Sequence, residues 1–373
     1  MKIFLVAGEE SGDIHGANMI RHLKLMTDFS LYGTGGVNLK DLGQEQYLDI
    51  SDMTIIGVGQ IFSKIPFIIN MFKVLKKKLL EVKPDLVVLI DYPGFNLKFA
   101  KFAKKNGFKV VYYITPQVWA WHYSRVNIIK MYVDKVYCIL PFEEDIFRKE
   151  GIDALYVGNP IVDNIKFKHH SREDFFYHLG IKDDKKLVGL LPGSRKREIY
   201  DNMPIFMDCV VRFSDRYNFV IAKADSVKED WLKEYNLEAS SIKIVKNSSY
   251  DVMKYSDILW CCSGTASLEA AILGTPSIIV YKISTLTNFV LKYFIKPKWI
   301  GLPNIILKKT IFPELLNQNF NINALFKTTE EILKVADSIR EELRYFKTIF
   351  EGRNPSQNVA QDIYEHFIKI SKI

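Results

Sequence analysis

The feature that most constrains the fold is an alternation of short apolar runs with helical stretches, repeated in both halves of the 373-residue chain. Continuous apolar strands alternating with helices are typical of parallel sheets that are buried on both faces. Two such series, in a chain long enough for two domains, predict two doubly wound α/β domains. The predicted strands are Ile3–Ala7, Leu31–Gly33, Leu86–Asp91, Val110–Ile114, Val136–Leu140 and Leu155–Val157, then Leu187–Leu191, Phe219–Ala222, Ile242–Val245, Ile258–Cys261 and Ser277–Tyr281.

The boundary between the two series is expected at the polar stretch Lys166–Lys186, which is rich in Lys, His and Asp. This predicts an N-terminal domain at 1–165 and a C-terminal domain at 166–349. The apolar run at Ile3–Ala7 is too short for a signal-peptide core, and the other apolar runs fall short of the ~20 residues that span a bilayer. We therefore expect a cytoplasmic protein, or one bound to a membrane surface from that side.

The composition limits the partners that the chain can have. A net charge of +8 and a pI near 9.0 favour an anionic partner. The candidate classes are a nucleic acid, a phosphorylated substrate and an acidic membrane. No nucleic-acid partner is expected, because the basic stretches do not lie in a recognisable binding module. The four cysteines form no CxxC pair and the seven histidines show no metal-ligand spacing, so we expect a reducing compartment and neither a metal ion nor a cofactor.

Two loops in the first half follow predicted strands, where ligands bind in open α/β sheets. Gly8–Asp13 contains Glu9 and suits a hydroxyl-rich ligand such as a sugar better than a pyrophosphate; a plain turn is the alternative. Asp91 begins the second loop, at the mouth of a strongly apolar strand. Burial there can raise the pKa of Asp91 toward that of a useful general base, although Asp91 could instead cap the next helix.

Two further loops belong to the second half. Gly193, Ser194 and Arg195 form a tight turn with a bidentate donor for phosphate oxygens, unless it is only a solvated basic turn. In the other loop, a helix opens with small and hydroxyl residues that can hold an anion, and Glu269 follows where a carboxylate can bind a ribose diol. The residues of this second loop are Ser263, Gly264, Thr265 and Ala266.

Two stretches, Ile61–Leu80 and Thr285–Pro313, combine apolar residues with lysines. Either could be an amphipathic core helix, but both together in a basic protein favour contact with an anionic membrane surface. The apolar residues expected to contact membrane or acyl chains are Ile61, Phe62, Ile65, Ile68 and Ile69.

Six motifs in a fixed order carry a resemblance to a known family. They are Ala7–Asp13, Ile90–Asn96, Pro116–Trp121, Leu191–Arg195, Ser263–Ala266 with Glu269, and Leu302–Asn304. Over essentially its whole length the chain resembles the lipid-A-disaccharide synthases. In that family the second loop often carries a second acid where this chain has Gly94, so the catalytic prediction falls on Asp91, with Glu9 as its competitor.

The resemblance implies a GT-B glycosyltransferase with two Rossmann-like domains facing a cleft and a C-terminal helix, about 350–373, crossing back to the N-terminal domain. It implies inverting transfer from UDP-2,3-diacylglucosamine to 2,3-diacylglucosamine 1-phosphate (lipid X), at the cytoplasmic face of the inner membrane. The product is the β(1→6) lipid A disaccharide 1-phosphate, with release of UDP. Asn304 would lie beside the nucleotide. The sequence leaves the oligomeric state open, a homodimer included.

Two other classes of function fit parts of the pattern. A UDP-N-acetylglucosamine 2-epimerase shares the two-domain fold and the nucleotide site, but needs neither a lipid surface nor an acceptor hydroxyl. A non-catalytic membrane-binding protein on the same fold would keep the lysine-rich faces and lose the nucleotide residues. The presence of Arg195 and Glu269 argues against the latter.

Overall fold

The computed structural model describes residues 1–50, 65–120, 122–235, 242–282 and 298–369. The chain forms two compact units, Met1–Pro160 with Gly352–Ile373 and Ile161–Glu351. The expected boundary stretch Lys166–Lys186 thus lies inside the second unit. The reason is that Phe175 and Phe176, in the middle of this polar stretch, are buried in the second unit's core.

The first unit is built on a parallel sheet of seven strands in the order β3-β2-β1-β4-β5-β6-β7. Its strands are β1 (Lys2–Ala7), β2 (Ser30–Gly35), β3 (Glu45–Asp49), β4 (Leu86–Ile90), β5 (Val110–Tyr113), β6 (Lys135–Cys138) and β7 (Ala154–Tyr156). The helices of the main part of this unit are α1 (Glu10–Lys24), α2 (Val37–Asp41), α3 (Ile65–Val82), α4 (Pro93–Lys105), α5 (Arg125–Tyr132) and α6 (Glu143–Lys149).

Alternate residues of β1 explain why this sheet is covered on both faces. Phe4 and Val6 belong to one core, while Ile3, Leu5 and Ala7 belong to another, and all five are fully buried. Because the side chains of a strand point alternately to the two faces, each core lies on one face of the sheet. The strands are therefore continuously apolar, as the sequence indicates.

The second unit contains a parallel sheet of six strands in the order β10-β9-β8-β11-β12-β13. Its strands are β8 (Lys186–Leu191), β9 (Tyr217–Lys223), β10 (Lys243–Lys246), β11 (Ile258–Cys262), β12 (Ser277–Tyr281) and β13 (Glu314–Leu316). The helices are α7 (Ile161–Asn164), α8 (Arg172–Leu179), α9 (Lys196–Phe213), α10 (Ser249–Tyr255), α11 (Thr265–Leu273), α12 (Leu302–Leu307), α13 (Ile322–Lys334) and α14 (Ala336–Thr348), with short 3₁₀ turns at Glu229–Trp231, Lys233–Tyr235 and Asn317–Asn319. Two doubly wound parallel sheets, as predicted, are confirmed.

The C-terminal helix α15 (Pro355–Ile363), followed by a π-helical turn at Tyr364–Lys369, returns to the first unit as predicted. Its residues Val359, Ala360 and Ile363 are fully buried in the core that also holds Ile3 and Leu5. None of the described helices is both long and apolar enough to cross a membrane.

Candidate active site

Each sheet has one point where the strand order reverses, and the predicted site loops lie at these two points. In the second unit β8 and β11 are neighbours, with Leu191 opposite Cys261. The loops that follow them, Pro192–Arg195 and Ser263–Gly264, are therefore adjacent at the carboxyl edge of the sheet. In an α/β sheet this reversal point is where ligands bind.

These two loops line a cavity of about 310 Å³ in the second unit. Every predicted nucleotide-binding residue of the unit except Asn304 lines it, namely Gly193, Ser194, Arg195, Ser263, Gly264, Thr265, Ala266 and Glu269. The fold thus brings together residues about 70 positions apart in the sequence, because the parallel register places both strand ends at one edge.

The amino end of α11 makes one wall of this cavity attractive to an anion. The first turn of a helix leaves backbone N–H groups without intrahelical partners, and the helix dipole adds positive potential there. Gly264 precedes the helix with φ +147°, a conformation that favours glycine. Ser267 closes the turn, since its Oγ donates to the Gly264 carbonyl oxygen at 2.8 Å.

The opposite wall is the turn before α9, and it is held by a residue that we did not predict. The Glu198 carboxylate accepts hydrogen bonds from the N–H groups of Ser194 at 2.9 Å and Arg195 at 3.2 Å. Gly193 has φ +118°, and a Cβ there would lie 2.5 Å from Glu198. The Arg195 side chain is 81% exposed, and its Nη1 lies 3.5 Å from Glu198 Oε1. The other N–H groups of the guanidinium, rather than the two occupied backbone N–H groups, are the donors that the turn offers to a ligand.

Glu269 lies deeper in the cavity, on the first turns of α11. Its Oε1 accepts a hydrogen bond from the Tyr250 hydroxyl at 3.1 Å, and burial raises the pKa of the Glu269 carboxyl. Tyr250, on α10, was not predicted, because only the folded chain brings it to Glu269. This hydrogen bond fixes a carboxylate in the cavity lining, and a carboxylate is chemically suited to accept hydrogen bonds from hydroxyl groups of a ligand.

Asn304, which is expected beside the nucleotide, is held by internal contacts. It is fully buried and does not line the cavity. Its Nδ2 donates to the carbonyl of Phe312 at 2.7 Å and to Glu314 Oε1 at 2.8 Å, and its Oδ1 accepts from the N–H groups of Ile311 and Phe312 at 2.8 and 2.9 Å. Its hydrogen-bonding groups are therefore used within the protein, and they fasten α12 to the segment that leads into β13.

In the first unit the order reverses between β1 and β4, where Ala7 lies opposite Ile90. Glu9 and Asp91 follow these two strands, so the two catalytic candidates lie at one edge of the sheet. Glu9 is exposed and Asp91 is half-buried. Burial, and then the negative charge of Glu9, raise the pKa of Asp91 to about 6. A carboxylate of that pKa is ionised at neutral pH and still basic enough to accept a proton.

The last acid of the first motif, Asp13, has a structural task. Its carboxylate accepts hydrogen bonds from the N–H groups of Gly36 at 2.7 Å, Asn38 at 3.0 Å and Leu39 at 3.1 Å. Asp13 therefore caps α2 from a distance of more than 20 positions along the chain. It fixes the loop after β2 at the same edge of the sheet as Glu9.

The Pro116–Trp121 motif is anchored by another buried acid that we did not predict, Glu143. Trp119 Nε1 donates to Glu143 Oε1 at 3.1 Å, and burial raises the pKa of Glu143 to about 7. The Trp119 ring also packs edge-on against Phe142, with ring centroids 5.1 Å apart. Trp121 lies outside the described residues.

The predicted membrane-contacting residues are described only in part. Ile61 and Phe62 lie outside the described residues. Ile65 and Ile68 belong to α3, but the structure does not describe their side chains. Ile69 is 50% exposed on α3. Among the described residues there is no group of three His, Cys, Asp or Glu side chains that could hold a metal ion.

Solved structures with a similar fold include a calicheamicin glycosyltransferase, CalG4 (TM-score 0.64, 12% identity, 100% of this chain and 99% of that chain). Another is a UDP-GlcNAc 2-epimerase from Neisseria meningitidis bound to UDP-GlcNAc (TM-score 0.61, 13% identity, 99% and 100%). At such low identity these likenesses show the fold alone, which is the GT-B class.

Curated relatives are far more similar in sequence. The lipid-A-disaccharide synthase of Syntrophus aciditrophicus is 38% identical over 354 residues, covering 92% of each chain. That of Trichlorobacter lovleyi is 34% identical over 370 residues, covering 96% of each. The family model described as lipid-A-disaccharide synthetase matches residues 3–367. The chain therefore belongs to the lipid-A-disaccharide synthase family, a family of glycosyltransferases.

Proposed function

We propose that the chain transfers the diacylglucosamine group of UDP-2,3-diacylglucosamine to the 6-hydroxyl of 2,3-diacylglucosamine 1-phosphate. The bond from the sugar C1 to the UDP phosphate oxygen breaks, and a bond from C1 to the acceptor oxygen forms with inversion. The acceptor proton passes to a general base, and UDP leaves. This step makes the β(1→6) lipid A disaccharide 1-phosphate, in keeping with the role of the family in lipid A biosynthesis.

The cavity of the second unit is the observation that carries this proposal. A pyrophosphate fits between the amino end of α11 and the exposed Arg195 guanidinium, both of which stabilise the negative charge that develops on departing UDP. Glu269, fixed by Tyr250, suits the ribose hydroxyls. The 2-epimerase alternative is not favoured, since the relatives at 34–38% identity are synthases.

In the first unit Asp91 is proposed as the general base. The 6-hydroxyl of the acceptor is a very weak acid, so its attack is helped by a carboxylate that takes the proton as the new bond forms. Asp91 is half-buried at the reversal point of its sheet, and burial with the charge of Glu9 raises its pKa to about 6. Glu9, being exposed, is assigned to tuning Asp91 and to contacts with sugar hydroxyls.

Two substitutions test the assignment of the two units. Asp91→Asn should lower kcat by about 10²–10⁴-fold, the usual contribution of general-base catalysis, and leave UDP affinity near wild type. Arg195→Ala should weaken UDP binding by about tenfold or more, because hydrogen bonds between charged groups contribute roughly 1.5–3 kcal/mol. UDP affinity is measured by calorimetry, and kcat with radiolabelled donor and acceptor in detergent.

Lys196→Ala, next to Arg195 but outside the cavity lining, is the matched control for the charge change. If Arg195→Ala and Lys196→Ala bind UDP equally well, Arg195 does not contact the pyrophosphate. UDP release from the donor in the absence of acceptor, at the rate seen with acceptor, would instead contradict glycosyl transfer.

The proposed place of action is the cytoplasmic face of the inner membrane, with the protein bound peripherally. Its support is the acylated substrates of the proposed reaction, the exposed apolar Ile69 on α3 and the exposed lysines of the same helix.

A further inference from the structure

The backbone takes an uncommon path where β4 leads into α4. Asp91 and Tyr92 both have left-handed conformations, with φ of 45° and 48°. Residues other than glycine seldom adopt such angles, and Tyr92 also precedes Pro93, whose ring further restricts it. Strained conformations of this kind persist only where the surrounding structure holds them in place.

Buried groups from two elements hold the Asp91 backbone. Its N–H donates to the Tyr113 carbonyl oxygen at 3.0 Å. Its carbonyl oxygen accepts from the Tyr112 hydroxyl at 2.5 Å and from Asn96 Nδ2 at 2.8 Å, and Asn96 Nδ2 also donates to the Ile90 carbonyl at 3.0 Å. Tyr112 and Asn96 are fully buried. Both backbone hydrogen-bonding groups of Asp91, its N–H and its carbonyl oxygen, are therefore held by hydrogen bonds.

Tyr92 is fixed on its other side by Gly8. A Cβ at position 8 would lie 2.4 Å from the Tyr92 ring, so the ring packs directly on the Gly8 backbone. This contact links the loop after β1 to the turn after β4. Hydrogen bonds thus restrain the backbone of Asp91, and packing on Gly8 restrains Tyr92. The Asp91 side chain is half-buried at the carboxyl edge of the sheet.

We propose that Tyr112 and Asn96 are positioning residues that hold Asp91 at the angle needed to take the acceptor proton. The inference rests on the proposed role of Asp91 as the base. A tight strand-to-helix turn presents the nucleophile of α/β-hydrolases by the same mechanical principle. Without the two donors, the turn can relax toward ordinary backbone angles and carry the carboxylate away from its productive position.

The test compares Tyr112→Phe with Tyr113→Phe. Each removes one hydroxyl from β5 and keeps the ring, but Tyr113 packs in the core on the opposite face of the sheet. Tyr112→Phe should lower kcat by about 10- to 100-fold, because a displacement of about 1 Å at a reacting group can reduce the rate by about 100-fold. The KM for donor and the UDP affinity should stay unchanged. Tyr113→Phe should keep near wild-type kcat per folded molecule.

A second measurement separates positioning from a general loss of stability. In an Asp91→Asn background, Tyr112→Phe should cause no further loss of kcat, because residues that act as a unit are not additive. Asn96→Ser, which shortens the second donor, should behave in the same way. Losses that add fully to that of Asp91→Asn would overturn the inference.

The outcomes also distinguish this inference from the proposed function. If Asp91→Asn keeps its turnover, the proposed base is wrong and the positioning role falls with it. If Asp91→Asn loses turnover while Tyr112→Phe and Asn96→Ser match the Tyr113→Phe control, only the positioning role is overturned. Near-UV circular dichroism gives the folded fraction to which each kcat is normalised.

Discussion

Acidic side chains at the carboxyl edges of the two sheets have different tasks because they face different partners. Asp13 and Glu198 accept hydrogen bonds from backbone N–H groups of neighbouring loops. Asp91 and Glu269 are half-buried carboxylates whose pKa values burial raises. The first pair builds the loops, and the second pair is suited to proton transfer and to binding hydroxyl groups.

The charge of Glu9 gives a pH prediction. A general base must be ionised, so kcat/KM should fall as the pH falls through the pKa of Asp91, which is about 6. Glu9→Gln removes a negative charge that disfavours ionisation of Asp91, so it should lower that pKa. The acid limb of the pH profile of kcat/KM should therefore move to lower pH, while turnover at neutral pH is largely kept.

Glu10→Gln provides the control for this shift. Glu10 is also exposed and follows Glu9 directly, but its charge is not among those that raise the pKa of Asp91. The acid limb of Glu10→Gln should match wild type. If Glu9→Gln abolishes turnover at every pH while Asp91→Asn keeps it, Glu9 is the base.

How far single residues could be predicted depends on how local their contacts are. Glu198 lies three positions after Arg195, a spacing typical of a capping box, and could have been found from the sequence. Tyr250 and Asp13 reach partners 19 and 23 or more positions away, which only the folded chain brings near. Asn304 was assigned to the nucleotide by resemblance, but its contacts are internal.

At the scale of elements, the predicted strands correspond to every interior strand and to one edge strand of each sheet, β7 and β10. Two strands were not predicted, β3 and β13, and each forms an edge of its sheet. Neither contains a fully buried residue. An edge strand is paired on one side only and lies partly open to solvent, so it lacks the continuous apolar run that identifies a central strand.

The attachment of α15 gives a prediction on stability. Asp362 accepts from Lys135 Nζ at 2.9 Å and from the Tyr137 hydroxyl at 2.8 Å, and all three groups are buried. Asp362→Asn should lower the free energy of unfolding by about 3 kcal/mol, because it leaves the Lys135 charge buried without its main partner. Urea unfolding followed by circular dichroism measures the change.

The double variant Lys135→Met/Asp362→Leu should recover most of this loss, since apolar residues of similar size often replace a buried ion pair without net cost. Glu365→Gln, at an exposed site in the following turn, is the control and should leave the unfolding midpoint near wild type. If Asp362→Asn is as stable as that control, the ion pair does not fasten α15 to the first unit.

At the scale of the whole molecule, the net charge of +8 and the lysines of α3 bear on where the protein works. Met71, Leu75 and Leu79 form the buried side of α3, whereas Ile69 and Leu80 are 50% and 44% exposed. The helix therefore has a core side and an outward side that combines apolar and basic residues. Such a surface suits the headgroup region of an anionic bilayer.

The last prediction compares the residues predicted to contact the membrane with a core residue of α3. Replacing Ile61, Phe62, Ile65, Ile68 and Ile69 with Ser should release the protein from vesicles that contain anionic lipid, as measured by sedimentation, and keep the thermal transition. Leu75→Ser should instead lower the stability of the first unit by several kcal/mol, because it removes a fully buried side chain from the core.

Salt separates the two contributions to membrane binding. Lysines near an anionic surface contribute about 1 kcal/mol each and are screened by salt, whereas apolar insertion is not. Wild-type binding should therefore weaken as salt rises and retain an apolar part that the quintuple Ser variant lacks. If that variant loses its thermal transition, the five replaced residues belong to the core and the predicted membrane contact is wrong. If it stays folded and bound, the membrane contact lies elsewhere on the molecule.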